Sequence, residues 1–217
     1  MPASVGTPAR ARARGNKRPA RGRRSLLAGG RSGNGWATTG LLALVALLVA
    51  YGVSRIDFGG AIRELTLPLE YENIIRQQAR EKSVEADLIA AVIYSESRFR
   101  DQTSDAGARG LMQITPDTAD TIEKLSGGET FVYDDLADPD LNIRYGTFFL
   151  RYLLDRYEGN EAAALAGYNA GMGNADAWGG ASIETSDIAF AETRAYVEQV
   201  LEKREEYAEG YERELGL

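Results

Sequence analysis

The chain has 217 residues, of which 25 are basic and 32 are acidic, and it contains neither cysteine nor histidine. These two absences exclude a disulfide framework, a thiolate nucleophile, a Ser-His-Asp triad and any histidine-ligated metal. Catalysis by this chain must therefore use carboxylate, hydroxyl, amine or phenol groups.

The first segment, residues 1–35, is rich in arginine and poor in large apolar residues. It cannot bury a core, and we expect a disordered basic tail in the cytoplasm. Such a tail could bind an anionic membrane surface; binding of nucleic acid or of a protein partner has only the charge in its favour. All of the acidic residues follow position 56. This acidic remainder argues against nucleic acid as its own partner, because phosphate contacts need cations.

An uncharged apolar stretch follows over residues 36–53, with Trp36 near its start and Tyr51 near its end. A helix of this length, at about 1.5 Å per residue, could just cross a hydrocarbon layer of about 30 Å. The basic residues before it place the N-terminus in the cytoplasm and the remainder outside the cell membrane. The sequence therefore predicts a single-pass membrane anchor, with secretion after signal-peptide cleavage as the alternative. Residues 54–69 are then a linker.

The pattern from residue 70 to residue 209 is helical, without a convincing alternating strand. A 3.6-residue period begins near Tyr71, and Ser83 is predicted to cap a helix that starts at Val84. Three later helix starts are expected, two of them with proline at the first helical position: Thr115-Pro116, Asp138-Pro139 and Asn160. The last helix is expected from Glu192 to Glu209, followed by a short tail over 210–217.

One helix carries an aromatic stripe that predicts the domain core. Its members recur at helical spacing after Pro139: Leu141, Tyr145, Phe148, Phe149, Tyr152 and Leu153. Trp178 follows a glycine-rich turn, and its pattern fits stacking on a sugar or packing in the core equally well.

The helix from Val84 carries one conspicuous carboxylate, Glu96, on the same stripe as Leu88 and Val92. Burial against apolar neighbours and the negative end of the helix dipole would both raise the pKa of Glu96. Such a group is a candidate proton donor near neutral pH. The alternative is a surface glutamate paired with Arg100 four residues later.

Short motifs follow one another in order along the chain: Glu96-Ser97, Ser104-x-x-Gly107-Ala108-x-Gly110-Leu111-Met112-Gln113-Ile114, Asp138-Pro139 with Asn142-Ile143-Arg144 and Gly146, Ala166-Gly167-Tyr168-Asn169-Ala170-Gly171, and Glu192-Thr193-Arg194-x-Tyr196-Val197. Together they resemble the catalytic domain of the soluble lytic transglycosylase type, which is related to goose-type lysozyme. The resemblance covers residues 71–205. It implies a mainly α, lysozyme-like domain over 70–209, preceded here by a single N-terminal transmembrane helix.

The resemblance also implies an activity on the glycan strands of peptidoglycan. Enzymes of this family cleave the β-1,4 bond between N-acetylmuramic acid and N-acetylglucosamine and leave a 1,6-anhydro end. Glu96 would act as the catalytic acid and then as the base, and no metal or other cofactor is expected. A hydrolytic muramidase on the same fold and a non-catalytic wall-binding module are the alternatives.

Further positions of the family motifs imply substrate contacts in this chain. Ser104, Gln113 and Glu192 match residues that contact sugar or line the cleft. Tyr168 would lie near Glu96, and Asn169 would mainly hold its loop. The chain departs from the family pattern at Thr115, where many relatives have methionine, so a sugar contact expected there is in doubt.

Overall fold

The computed structural model describes residues 35–53, 58–127 and 132–217. The chain divides into two compact units, Met1–Ile56 and Asp57–Leu217. In the first unit, helix α1 spans Gly35–Val53. The predicted basic tail lies outside the described residues except at its last position.

The membrane anchor predicted over residues 36–53 is not supported by the structure. Helix α1 covers this stretch, but its strongly apolar part is the shorter segment 41–53. Within the described parts of the chain, no helix is long and apolar enough to cross a membrane.

The second unit is helical, as the sequence predicts. Its described α-helices are α2 Phe58–Thr66, α3 Glu72–Lys82, α4 Ala86–Ser97, α5 Pro116–Leu125, α6 Pro139–Arg156, α7 Glu161–Ala170, α8 Met172–Trp178, α9 Ala191–Gly210 and α10 Glu212–Leu215. Short 3₁₀ turns lie at Tyr133–Ala137, Gly180–Ser182 and Thr185–Asp187. In the described residues, β-type pairing is limited to two isolated bridges, Thr103 with Arg109 and Arg109 with Ile114.

Helix α4 lies at the centre of this unit, packed along α9 and against α3. Every residue from Ala86 to Tyr94 is buried, so α4 is enclosed on all sides rather than along one stripe. The prediction that Ser83 caps this helix is wrong. Ser83 instead ends α3 in the left-handed region, with φ of 53°, and its backbone N–H donates to the Ala79 carbonyl oxygen.

The other predicted helix starts are confirmed by hydrogen bonds from backbone N–H groups to the cap side chains. Thr115 accepts from Thr118, and Asn160 accepts from Ala163. Asp138 accepts from the backbone of two residues in the first turn of α6. The aromatic stripe of α6 is also confirmed as core, since its members are buried or packed against buried residues.

The compact unit extends beyond the predicted domain at both ends. Leu67, in the stretch predicted as a linker, is 5 % exposed, and Leu215, in the predicted tail, is 2 % exposed. The hydroxyl of Tyr211 donates to the Leu67 carbonyl oxygen at 2.7 Å, which joins the two ends of the unit.

Candidate active site

Glu96 lies in the last turn of α4, where the enclosed helix reaches the surface. The next residues turn the chain sharply, because Arg98 and Phe99 both adopt left-handed backbone angles, with φ of 53° and 60°. Phe99 is 3 % exposed and anchors this turn in the core. The loop over residues 101–114 therefore begins close to the end of α4 that carries Glu96.

The carboxyl group of Glu96 has an unusual proton affinity. Burial raises its pKa from 4.5 to about 7, and the Tyr196 hydroxyl lowers it by a smaller amount. By surface area the side chain is only half-buried, but the pKa responds to the dense protein surroundings of the carboxyl group itself. At neutral pH the group is therefore divided between its acid and its base form.

The pairing of Glu96 with Arg100 is not observed. The Arg100 guanidinium instead lies 3.5 Å from the Ser97 carbonyl oxygen, and Arg98 lies over the ring of Tyr94. Neither cation contributes to the pKa of Glu96. The raised value is consistent with this, because a nearby cation would favour the carboxylate.

Two buried phenols interact electrostatically with the carboxyl group. The negative charge of Glu96 raises the pKa of both Tyr168 and Tyr196, although burial is the larger cause for each. The Tyr168 hydroxyl donates to the Met112 carbonyl oxygen at 2.9 Å. The buried Tyr196 hydroxyl makes no hydrogen bond in the structure, yet it is near enough to the Glu96 carboxyl group to favour the carboxylate form.

The loop over residues 101–114 places the predicted sugar contacts near the end of α4. Gln113 adopts φ of 46°, and its side-chain N–H donates to the carbonyl oxygens of Gln102 and Gly110 at 3.0 and 2.8 Å. Gln102 in turn donates to the Glu96 carbonyl oxygen at 3.3 Å. The hydroxyl of Ser104 accepts from the Ala108 N–H at 3.0 Å, which closes a tight turn.

Asn142, on α6, holds this loop in place through three hydrogen bonds to backbone groups. Its side chain accepts from the Met112 N–H at 2.7 Å and donates to the carbonyl oxygens of Arg109 and Leu136 at 2.9 Å each. A side chain at Gly110 would collide with Asn142, because an added Cβ would lie 2.2 Å from its amide nitrogen. Glycine at this position therefore permits the close approach of loop and helix.

The remaining predicted contacts lie where α7 and α9 meet. Asn169 accepts a hydrogen bond from the Thr193 hydroxyl at 2.8 Å, which links the end of α7 to the start of α9. Glu192 lies in the first turn of α9 with an exposed side chain. The described contacts do not connect Glu192 to Glu96.

Sequence reasoning missed two roles. From the sequence, Tyr196 fits packing in the core and contact with the substrate equally well, and its place in the motif that begins at Glu192 is the signal that could have found it. Asn142 belongs to a recognisable segment after Asp138-Pro139, but a polar residue inside a helix gives no indication of which loop it holds. Among the described residues, no group of three or more acidic side chains is placed to hold a metal ion.

The comparisons with known proteins agree with this arrangement. The family description "Transglycosylase SLT domain" matches residues 73–190. The soluble lytic murein transglycosylase of Salmonella typhimurium is 35% identical over 147 residues, covering 64% of this chain and 23% of that protein. The membrane-bound lytic murein transglycosylase C of Glaesserella parasuis is 31% identical over 139 residues, covering 55% of this chain and 38% of that protein.

Solved structures show the same fold. The 70-kDa soluble lytic transglycosylase of Escherichia coli superposes with a TM-score of 0.62 at 32% identity, covering 67% of this chain and 25% of that one. An inactive Glu-to-Gln variant of the lytic transglycosylase Slt from Pseudomonas aeruginosa gives a TM-score of 0.63 at 30% identity, covering 68% of this chain and 25% of that one. The chain thus has the helical, lysozyme-like fold of the lytic transglycosylases. It belongs to the Transglycosylase SLT domain family, although it spans only about a quarter of the length of the first relatives it matches.

Proposed function

We propose that this chain is a peptidoglycan lytic transglycosylase. It cleaves the β-1,4 bond between N-acetylmuramic acid and N-acetylglucosamine and leaves a 1,6-anhydro-muramic end. The observation that carries the proposal is the carboxyl group of Glu96, with a pKa of about 7, at the surface end of the central helix.

The pKa of Glu96 suits a group that must give and then take a proton. In its acid form Glu96 protonates the glycosidic oxygen as the bond to the anomeric carbon breaks. In its base form it accepts the proton of the C6 hydroxyl, which forms the new bond to that carbon. A pKa close to the working pH supports both steps, because neither protonation state is rare.

The nucleophile is supplied by the substrate. Most glycosidases use two carboxyl groups, but among the described residues no other carboxylate acts on the pKa of Glu96. The N-acetyl oxygen or the C6 hydroxyl of the muramic acid can take the place of the second group. An intramolecular attack of this kind has an effective molarity of about 10⁵ M or more when it is well oriented.

The residues around Glu96 are proposed to hold the sugar and the carboxyl group in place. Tyr168 and Tyr196 position the acid, and Ser104 and Gln113 offer hydrogen bonds to the glycan from the adjoining loop. Glu192, exposed in the first turn of α9, would line the cleft. Support comes from the Pseudomonas aeruginosa relative, in which a Glu-to-Gln substitution gives an inactive protein.

The test is mass spectrometry of the muropeptides that the full chain releases from purified peptidoglycan. We expect products one water lighter than the corresponding reducing muropeptides. Glu96→Gln should reduce their formation by about 10²–10⁴-fold, the usual contribution of a general acid and base, without loss of the fold by circular dichroism.

Glu85→Gln is the matched control, because Glu85 is an exposed glutamate at the opposite end of α4. Its product yield should equal that of the unchanged protein. Reducing-end products that depend on Glu96 would show a muramidase instead. Wild-type turnover by the Glu96→Gln variant would refute the role given to Glu96. A folded chain that releases no products would instead favour the alternative of a non-catalytic wall-binding module.

Attachment to the cell membrane, with the N-terminus in the cytoplasm, stays a prediction of the sequence. Its basis is the uncharged apolar stretch over residues 36–53 that follows the basic segment. Among the relatives, some are named as soluble and others as membrane-bound. Membranes of cells that express the full chain should retain it after an alkaline carbonate wash, and its recovery in the wash would contradict the prediction.

A further inference from the structure

A pair of aromatic rings lies at the start of α9, outside the groups assigned to the proposed chemistry. Phe190 directly precedes α9 and is 51% exposed. Trp178, the last residue of α8, packs edge-on against it, with ring centroids 5.0 Å apart and planes at 82°. Trp178 also contacts the buried core. The core therefore holds the inner ring, and the outer ring is left largely open to solvent.

The segment that carries Phe190 is fastened to the domain. Asn160 donates to the carbonyl oxygens of Ala181 and Ile183 at 3.0 and 2.9 Å. Arg194, in the first turns of α9, donates to the carbonyl oxygen of Ile188, which is fully buried. An exposed ring on an anchored backbone loses little entropy when it binds a ligand, because its position is already fixed.

Phe190 lies at the N-terminal end of the helix that also carries Tyr196 of the proposed site. Tyr196, which acts on the pKa of Glu96, is six positions after Phe190, or about 9 Å along the axis at a rise of about 1.5 Å per residue. Between them, the Thr193 hydroxyl bonds to Asn169 at the end of α7. Exposed Glu192 is two positions after Phe190 in sequence and offers carboxylate oxygens to hydroxyl or amide donors.

We propose that Phe190, supported by Trp178, is a stacking platform for a sugar ring of the glycan strand, beyond the bond that is cleaved. This inference rests on the proposed function, since it extends the same substrate along α9. A pyranose ring presents an apolar C–H face to an aromatic ring, and its rim of hydroxyl and N-acetyl groups can bond to Glu192. A lone exposed aromatic residue is ordinary on a protein surface, but here the ring is paired with Trp178, anchored, and placed at the start of the helix that carries Tyr196.

The test measures binding and does not require cleavage. The full chain carries Glu96→Gln to prevent turnover, and calorimetry gives its Kd for soluble β-1,4-linked N-acetylglucosamine oligomers of increasing length. Phe190→Ala and Phe190→Leu should each weaken binding of the longer oligomers by about tenfold, the effect of losing one stacked aromatic ring. The shortest oligomers, which do not reach the platform, should bind equally to all variants. Phe190→Tyr should keep the affinity.

Leu65→Ala is the matched control, because Leu65 is an exposed apolar residue of the same unit, on α2. Thermal unfolding of each variant confirms that it is folded at the titration temperature. Trp36→Phe leaves Trp178 as the only tryptophan, and its fluorescence should change when an oligomer binds to the protein with Phe190 intact.

The outcomes separate this inference from the proposed function. The platform would be overturned if the protein with Glu96→Gln bound the long oligomers equally well with and without Phe190→Ala. This conclusion would hold even if the unchanged chain cleaves peptidoglycan. If the Phe190→Leu variant kept the full affinity for the long oligomers, the stacking platform would also be overturned, because an apolar side chain without an aromatic ring would then be enough for binding. Loss of binding in both variants supports it, whether or not cleavage by the unchanged chain is found.

Discussion

At the scale of single residues, the balance of two effects on Glu96 determines how the enzyme responds to pH. Burial disfavours the charged carboxylate and raises the pKa, whereas the Tyr196 hydroxyl stabilises the carboxylate and lowers it. The acid form must be present when the glycosidic bond breaks. The reaction rate should therefore decline as the pH rises through about 7.

Removing the Tyr196 hydroxyl should shift this decline. Tyr196→Phe takes away a donor to the carboxylate, so the pKa of Glu96 rises further and the falling limb of the kcat/KM profile moves to higher pH. The profile is measured from release of anhydro-muropeptides over a series of buffers. Tyr152→Phe is the control, because Tyr152 packs on Phe149 and has no effect on the pKa of Glu96. If the decline of kcat/KM in the Tyr196→Phe variant stayed at the same pH or moved to lower pH, the role of Tyr196 would be contradicted.

At the scale of helices and loops, Asn142 connects α6 to the loop that carries Gln113. Its buried amide makes three hydrogen bonds to the backbone. Asn142→Ala leaves these backbone groups without partners and should cost about 3 kcal/mol of unfolding free energy. The measurement is urea denaturation followed by circular dichroism.

The matched substitution for this experiment is Asn73→Ala, since Asn73 is an exposed asparagine on α3. A surface change of that kind is expected to alter the free energy of unfolding by less than about 0.5 kcal/mol. Similar losses in the two variants would show that the bonds of Asn142 add little to stability.

The elements that could be predicted from the sequence depend on local chemistry. Thr115, Asp138 and Asn160 cap helices through bonds to residues two or three positions ahead, so a short pattern suffices. Ser83 has the same capping chemistry, but the chain ends α3 there and starts α4 only at Ala86. No local rule separates these two outcomes.

The candidate site could be predicted in part for the same reason. The position of Glu96 at the end of an apolar helix indicated a raised pKa, and the structure gives that direction. The phenol of Tyr196 comes from a helix that begins almost a hundred residues later, so no local pattern brings the two groups together. Packing of α4 against α9 produces this contact.

At the scale of the whole molecule, the two ends of the second unit meet at the end of α9. The hydroxyls of Tyr207 and Tyr211 donate to the carbonyl oxygens of Pro68 and Leu67 at 2.5 and 2.7 Å. The Arg63 guanidinium lies 4.6 Å from the ring centroid of Tyr211. These contacts join residues more than a hundred positions apart, and composition alone suggested only a linker and a tail.

Two truncations separate the contribution of this contact from that of the N-terminal unit. Removal of residues 1–56 leaves α2 and Leu67 in place and should not change the melting temperature of the second unit. Removal of residues 1–69 exposes the faces of Tyr207 and Tyr211 and leaves their hydroxyls without acceptors, which should cost roughly 3 kcal/mol. Calorimetry of the two proteins measures the difference, and equal melting temperatures would show that α2 is dispensable. Because Tyr196 lies on the same helix, the longer truncation should also lower activity at temperatures where α9 begins to loosen, while the shorter one keeps it.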